Sequence, residues 1–244
     1  MFWRLFLALA LVGAGSLRAD TVPVGMDNLF VPVGFDDNDE VEIVADGHLP
    51  NACHRLTDSF VNVDVEKREI TVQPKARRFD GICHDDFKVP YQKVIALGQL
   101  AAGKWTIKTA YPGKTETLDI QHVEGKGPDN HLYAPVDAAR MGVDIGGKWA
   151  AKIRGRFTNT CYRIEKLELI PSGKTLQLLP IMIRDVKDPD GMPCREKERE
   201  FEAEVAMPGD LMPGRYLLHV RSLDGRSVND VFSNIWIARE RYVR

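Results

Sequence analysis

Gly47-His48-Leu49-Pro50-Asn51-Ala52-Cys53-His54-Arg55 returns 108 residues later as Gly155-Arg156-Phe157-Thr158-Asn159-Thr160-Cys161-Tyr162-Arg163. Gly, Asn, Cys and Arg keep their places. At the same offset, and without a gap, Gly34 meets Gly142 and Asp36 meets Asp144, which makes six identities over 22 residues. Further along, an offset of 111 pairs Cys83 with Cys194, Val94 with Val205, Leu100 with Leu211, Gly103 with Gly214, Lys104 with Arg215 and Trp105 with Tyr216. Upstream, Leu29-Phe30-Val31-Pro32-Val33 parallels Leu132-Tyr133-Ala134-Pro135-Val136 at an offset of 103. The matches keep their order and the offset drifts only where loops can lengthen, so we read the chain as two copies of one module.

The expected organisation is a first module over 20–124, a linker over 125–130 and a second module over 131–244. Gly125-Lys126-Gly127-Pro128-Asp129-Asn130 breaks helix and strand ladder alike, which suits a linker or sharp turn. A single sandwich built continuously from both halves is the alternative. Ahead of the first module, Arg4 leads into an apolar run from Leu5 to Val12, then small residues and Ala19 before Asp20. This is the pattern of a secretory signal peptide over residues 1–19, too short for the roughly 20 residues that span a bilayer.

Within each copy, period-two alternation predicts half-buried strands: Val41-Glu42-Ile43-Val44, Phe60 to Val65, Glu69 to Val72 and Trp105 to Thr109. The second copy supplies Trp149 to Ile153, Leu167 to Ile170, Leu176 to Leu179, Phe201 to Val205 and Tyr216 to Val220. Turn signals such as Pro171-Ser172-Gly173 and Pro208-Gly209-Asp210 separate them, and no long 3.6-residue periodicity asks for a helix. The expected class is all-β, antiparallel sandwich. Leu100-Ala101-Ala102-Gly103-Lys104-Trp105 and Leu211-Met212-Pro213-Gly214-Arg215-Tyr216 resemble the turn and strand start before a late strand of immunoglobulin-like or fibronectin-like folds. That resemblance implies two tandem β-sandwich modules.

Four Cys allow three pairings, and a duplicated module that carried its own bridge would keep it in each copy. The expected disulfides are therefore Cys53–Cys83 and Cys161–Cys194, suited to an exported protein in the periplasm or outside the cell. Asn51 and Asn159 are expected to shape turns before the first Cys, and Arg55 and Arg163 to pair with a local acid or carbonyl.

The 244 residues carry 33 Lys and Arg against 35 Asp and Glu, and removing 1–19 leaves 31 against 35. A mildly acidic balance gives no electrostatic reason for a nucleic-acid partner. Copy one alone has Cys53-His54 and Cys83-His84-Asp85-Asp86. A bridge between the Cys would bring His54, His84 and Asp85 into one neighbourhood, a set suited to Zn or Cu. The competing reading leaves both His in solvent on a strand face. The acidic runs Asp36-Asp37-Asn38-Asp39-Glu40 and Asp185 to Gly191 invite a calcium reading but fit no known loop spacing, so solvated turns are expected. No nucleophile elbow, zinc-protease helix or phosphate loop appears in the mature sequence. Lys75, Arg77 and Arg78 near Phe79, and Arg239, Arg241 and Arg244 around Tyr242, are basic patches that could contact an acidic partner. The expectation is an exported, non-enzymatic protein with no cofactor and no transmembrane anchor. It would act through protein–protein or cell-envelope contacts, and a periplasmic Zn or Cu carrier or sensor using His54, His84 and Asp85 is the alternative.

Overall fold

The computed structural model describes residues 21–83, 87–123, 131–143 and 148–234. The expected signal peptide over 1–19, the expected linker over 125–130, His84, Asp85, Asp144 and the basic residues Arg239, Arg241 and Arg244 lie outside them. The described residues form β1 (Thr21–Pro23), β2 (Asn28–Phe30), β3 (Val41–Leu49), β4 (His54–Leu56), β5 (Phe60–Asp64), β6 (Glu69–Gln73), β7 (Lys75–Arg78), β8 (Val89–Gly98), β9 (Gly103–Thr109) and β10 (Thr115–Ile120) in the front half. The back half forms β11 (Val136–Val143), β12 (Trp149–Phe157), β13 (Tyr162–Ser172), β14 (Thr175–Arg184), β15 (Arg199–Ala206), β16 (Arg215–Arg221) and β17 (Ser227–Ser233). The fold is all-β, interrupted only by a 3₁₀ turn at Leu223–Gly225 among the described residues.

Every sheet takes its strands from one half of the chain, so the strands do not interleave into one continuous sandwich. The front half has a three-stranded sheet β2-β3-β8, a four-stranded sheet β10-β9-β6-β5 and a small sheet β1-β7-β4. The back half has β11-β12-β15 and, in the same order, β17-β16-β14-β13. Its long β13–β14 hairpin, bulged between Ile164 and Lys166, covers in two strands what β4, β5, β6 and β7 cover in the front half.

Two sequence expectations need correction. The four-stranded sheets are mixed rather than antiparallel: β6 runs parallel to β9, and β14 to β16. Parallel neighbours need a crossover, and here a strand of the opposite sheet, β8 or β15, supplies it. The pairing of Val94 with Val205 also slips. Val94 lies opposite Val44 and Val205 opposite Ala151, which are on opposite faces once Val44 is matched to Lys152 at the 108 offset, so the partner of Val94 is Glu204. A one-residue shift in a strand exchanges its faces, and an ungapped comparison cannot see it.

Each half buries its own core. In front, Ile43 and Ala45 meet Ile70, Val72, Trp105, Ile107, Leu118 and Ile120. Behind, Ala151 and Ile153 meet Leu176, Leu178, Tyr216, Leu218 and Val220. Trp105 Nε1 donates to the Ala101 carbonyl at 2.9 Å, and the Tyr216 hydroxyl donates to the Met212 carbonyl at 2.9 Å, each ring tying its strand to the turn four residues before it. Gly47 and Gly155 recur because the lead-in to the first strand crosses them closely. A Cβ on Gly155 would sit 1.9 Å from the Pro135 carbonyl oxygen, and one on Gly47 would sit 3.0 Å from that of Gly25.

The halves meet face to face: the outer face of β2-β3 lies on the outer face of β16-β17. Phe30 and Val44 pack against Leu217 and Val231. Arg215 holds Asp46 through two bonds of 3.1 Å, and Arg221 Nη2 donates to Asp39 Oδ1 at 2.7 Å, both members of the latter pair being almost wholly buried. Arg221 also lies over the rings of Phe35 and Tyr133, at 5.4 and 5.7 Å. Glu42 accepts from Ser227 Oγ and from Asn229 Nδ2.

His219 is fully buried in this contact. The Asn229 amide nitrogen is committed to Glu42, so its oxygen faces the imidazole and Nδ1–H donates to it at 2.9 Å. Nε2 has no hydrogen-bond partner among the described residues. Burial pushes the imidazole below its ordinary value, against the opposing pull of the Asn229 bond, Glu42 and Asp39 and with the help of Arg221. As pH falls below about 6.5, the unfolded chain takes up a proton that the folded chain refuses, so stability is expected to fall toward the depressed folded value. Urea unfolding between about pH 7 and pH 5 is expected to show a shallower loss for His219→Gln than for the natural chain. Parallel slopes would assign the loss to other groups.

Candidate functional site

The disulfides Cys53–Cys83 and Cys161–Cys194 are formed, with Cα separations of 5.6 and 5.4 Å. Asn51 Oδ1 accepts from the Cys53 amide at 3.1 Å and Asn159 Oδ1 from the Cys161 amide at 2.9 Å, the turn role expected of both. Around these matching staples the halves diverge. In the back half the Asp185 amide donates to the Cys161 carbonyl, and the Asp185 carboxylate takes Arg163 Nε at 2.7 Å. In the front half the amide at that place belongs to Phe79, and Arg55 stacks over its ring at 5.5 Å. Arg55 was expected to pair with an acid or carbonyl. The ion pair of the back half is a cation–aromatic contact in the front half because Phe79 bonds the Cys53 carbonyl as Asp185 bonds that of Cys161.

This exchange generates a surface. Arg55 lies directly across from Arg77, and Lys75 is two residues along β7 on the same face, over the Phe60 ring at 5.3 Å. Ala76, between them, points into the core. The result is a strip of three cations flanked by two exposed rings, with Ile82 beside the staple 96% exposed and Phe87 64% exposed. None of Arg55, Lys75 and Arg77 makes an ion pair among the described residues. Cations over ring faces at exposed sites are favoured by roughly 0.5–1 kcal/mol, which biases Arg55 and Lys75 toward the rings while leaving their charge open to a ligand. The sequence signal was the basic cluster near Phe79. Phe60 and Arg55, distant in sequence, were missed.

The metal set is only partly within view. His54 donates through Nδ1 to Asn51 Oδ1 at 2.7 Å, which leaves Nε2 as its one free ligand atom. His84 and Asp85 lie outside the described residues, and among the described residues no three His, Cys, Asp or Glu side chains are grouped to hold a metal ion.

The acidic runs are turns, but not the solvated ones expected: Asp36, Asp39 and Asp188 are buried, because their carboxylates are committed to backbone amides and to Arg221. Asp39 Oδ2 accepts the Asp36 amide, Asp37 takes His122 Nδ1 at 2.7 Å and the Val123 amide at 3.1 Å, and Asp39 Oδ1 belongs to Arg221. The His122 bond is the main cause that holds the Asp37 carboxyl below its ordinary value. Asp188 Oδ1 closes its own loop by accepting the amides of Asp190 and Met192. No helix among the described residues is long and apolar enough to cross a membrane.

No protein-family model, no curated protein and no solved structure matches this chain. What the molecule does is therefore argued from its own surfaces.

Proposed function

We propose that the chain is an exported, non-enzymatic binding protein built from two duplicated immunoglobulin-like units, and that it contacts a protein or cell-envelope partner through the cation–aromatic strip of the first unit. The observation that carries this is the strip itself: Arg55, Lys75 and Arg77 make no ion pair among the described residues and stand beside the exposed Phe60, Phe79 and Ile82. Exposed apolar side chains gathered in one place mark contact sites, and unpaired cations among them suit a partner with acidic groups. Two disulfides suit an oxidising compartment outside the cytosol. Duplication is supported by the shared strand order and staple position. The immunoglobulin-like reading is supported by the ring-to-carbonyl corners at Trp105 and Tyr216, a device of those domains. The parallel strand pairs depart from their antiparallel sheets.

A photo-crosslinking amino acid placed at Ile82 is expected to trap a partner in the native cell envelope, and one at Thr117, on a different sheet, to trap none. Lys75→Glu with Arg77→Glu is expected to cut the Ile82 adduct at least tenfold, about the loss of 1.4 kcal/mol in binding. Equal trapping from both positions would sink the strip as a binding site. The rival, a Zn or Cu carrier, is separated by isothermal titration of the purified chain with Zn(II) and Cu(II), beside a His54→Ala, His84→Ala variant. Heat lost in that variant would favour the carrier, and no heat above dilution would end it.

A further inference from the structure

The cation–aromatic strip contains a pair that a sheet disfavours. Arg55 lies directly across from Arg77, bracketed by the Phe79 amide on the Cys53 carbonyl and the Thr57 amide on the Lys75 carbonyl, each at 2.9 Å. The Cα atoms of such a hydrogen-bonded pair stand about 5.5 Å apart, and that of Lys75 lies roughly 7 Å from that of Arg77 along β7. Like charges directly opposite destabilise a sheet. The neighbours on this face do not offset them: β1 puts Thr21 across from Arg77 and Pro23 across from Lys75, and β4 puts Thr57 across from Lys75. The acids that flank the strip in sequence, Asp58 and Asp80, make no ion pair among the described residues.

The back half lacks this pair. Aligned on the amides of Phe79 and Asp185, Arg77 corresponds to Ile183 and Lys75 to Ile181, so Arg163 meets an isoleucine across the ladder and holds the Asp185 carboxylate. The ladder forms there without Arg77 and Lys75, so pairing of the strands does not require them. The side chains also favour one kind of anion. Arg55 lies over Phe79 and Lys75 over Phe60, and a guanidinium stacked on a ring keeps its N–H edge for hydrogen bonds. A carboxylate offers two oxygens, which one guanidinium fork fills, whereas a phosphate group offers three and as many as two charges. Two forks facing each other across a ladder, with an ammonium beside them, match the phosphate better.

We propose that Arg55, Arg77 and Lys75 form a binding site for a phosphate group, borne by a lipid headgroup or by a soluble phosphate compound. The bound oxyanion lies between the facing guanidiniums and relieves their repulsion. The proposal rests on the strip being the contact surface and names the chemistry that this surface recognises.

Isothermal titration at low salt compares inorganic phosphate with succinate on the natural chain, on Arg77→Ile and on Arg55→Gln. Phosphate is expected to bind the natural chain at least tenfold more tightly than succinate does, and at least tenfold more tightly than it binds either variant. Arg77→Ile copies the back half, so without phosphate it is expected to unfold at no lower temperature than the natural chain. If that variant does not fold, Arg55→Gln carries the comparison, with circular dichroism checking each fold. Phosphatidylcholine vesicles with and without phosphatidylglycerol separate the two sources. Cosedimentation with the charged vesicles that inorganic phosphate competes away assigns the group to a lipid, and phosphate binding without cosedimentation assigns it to a soluble compound. Equal affinities for phosphate and succinate, phosphate binding unchanged in both variants, or vesicle binding that phosphate does not compete away would overturn the proposal. If phosphate fails to bind while the Ile82 adduct still forms and is lost in Lys75→Glu with Arg77→Glu, the strip stands as a contact surface and only its phosphate chemistry falls.

Discussion

Arg221→Met is expected to destabilise the protein by about 3–5 kcal/mol, the cost of leaving a buried carboxylate without its cation. Asp39 is 2% exposed, and one oxygen also accepts the Asp36 amide, so the carboxylate cannot turn toward water without opening that turn. The guanidinium lies between Phe35 and Tyr133, a place that Met can fill but not charge. Urea unfolding should show a lower midpoint with an unchanged slope, since the exposed surface is the same. Adding Asp39→Asn removes the stranded charge while keeping an acceptor for Asp36, and is expected to restore at least half of the loss. A double variant as unstable as Arg221→Met would mean that packing, not charge, sets the cost.

Removing one disulfide, as in Cys161→Ala with Cys194→Ala, is expected to cost about 3–4 kcal/mol by the chain-entropy estimate for a closed loop of this length. The separations of 30 and 33 residues predict nearly equal effects for the two bridges. The bridges lie in different halves, so their losses should add. Denaturant titration of the two single removals and of the double removal checks both statements. A loss below about 1 kcal/mol at either site would assign that loop's order to the Asn51 or Asn159 turn and its neighbours instead.

The recurring positions and the two staples were legible because Gly, Cys and Asn are held by local geometry: a crossing backbone at Gly155, a bridge at Cys161 and a turn at Asn159. Strands with one face in the core, such as β3 and β9, show the alternation that reveals them. Other strands hid for specific reasons. β17 reads Ser-Val-Asn-Asp-Val-Phe-Ser because its outer face meets Glu42 and Gln92 of the front half, where polar side chains are satisfied.

The docking of the halves left a trace that was not used. Tyr216-Leu217-Leu218-His219-Val220, expected to be a half-buried alternating strand, does not in fact alternate: β16 is buried on both faces, one by its own core and one by the front half. A near-continuous apolar run is the mark of a strand covered twice. The partners themselves, Asp39 with Arg221 and Asp46 with Arg215, stand 182 and 169 positions apart. No local pattern links them. The cation–aromatic strip was half legible, because Lys75, Arg77 and Phe79 are neighbours in sequence, whereas Arg55 and Phe60 join only through strand pairing.

Hydroxyl-radical footprinting of two phenylalanines tests the face-to-face stacking most directly, because their intrinsic reactivity is the same. Phe30 is 2% exposed, against Leu217 of the other half, and Phe87 is 64% exposed. Phe30 is expected to be oxidised at least tenfold more slowly than Phe87 in the folded protein, and at the same rate in denaturant. Equal rates in the folded protein would contradict the stacking of the two halves.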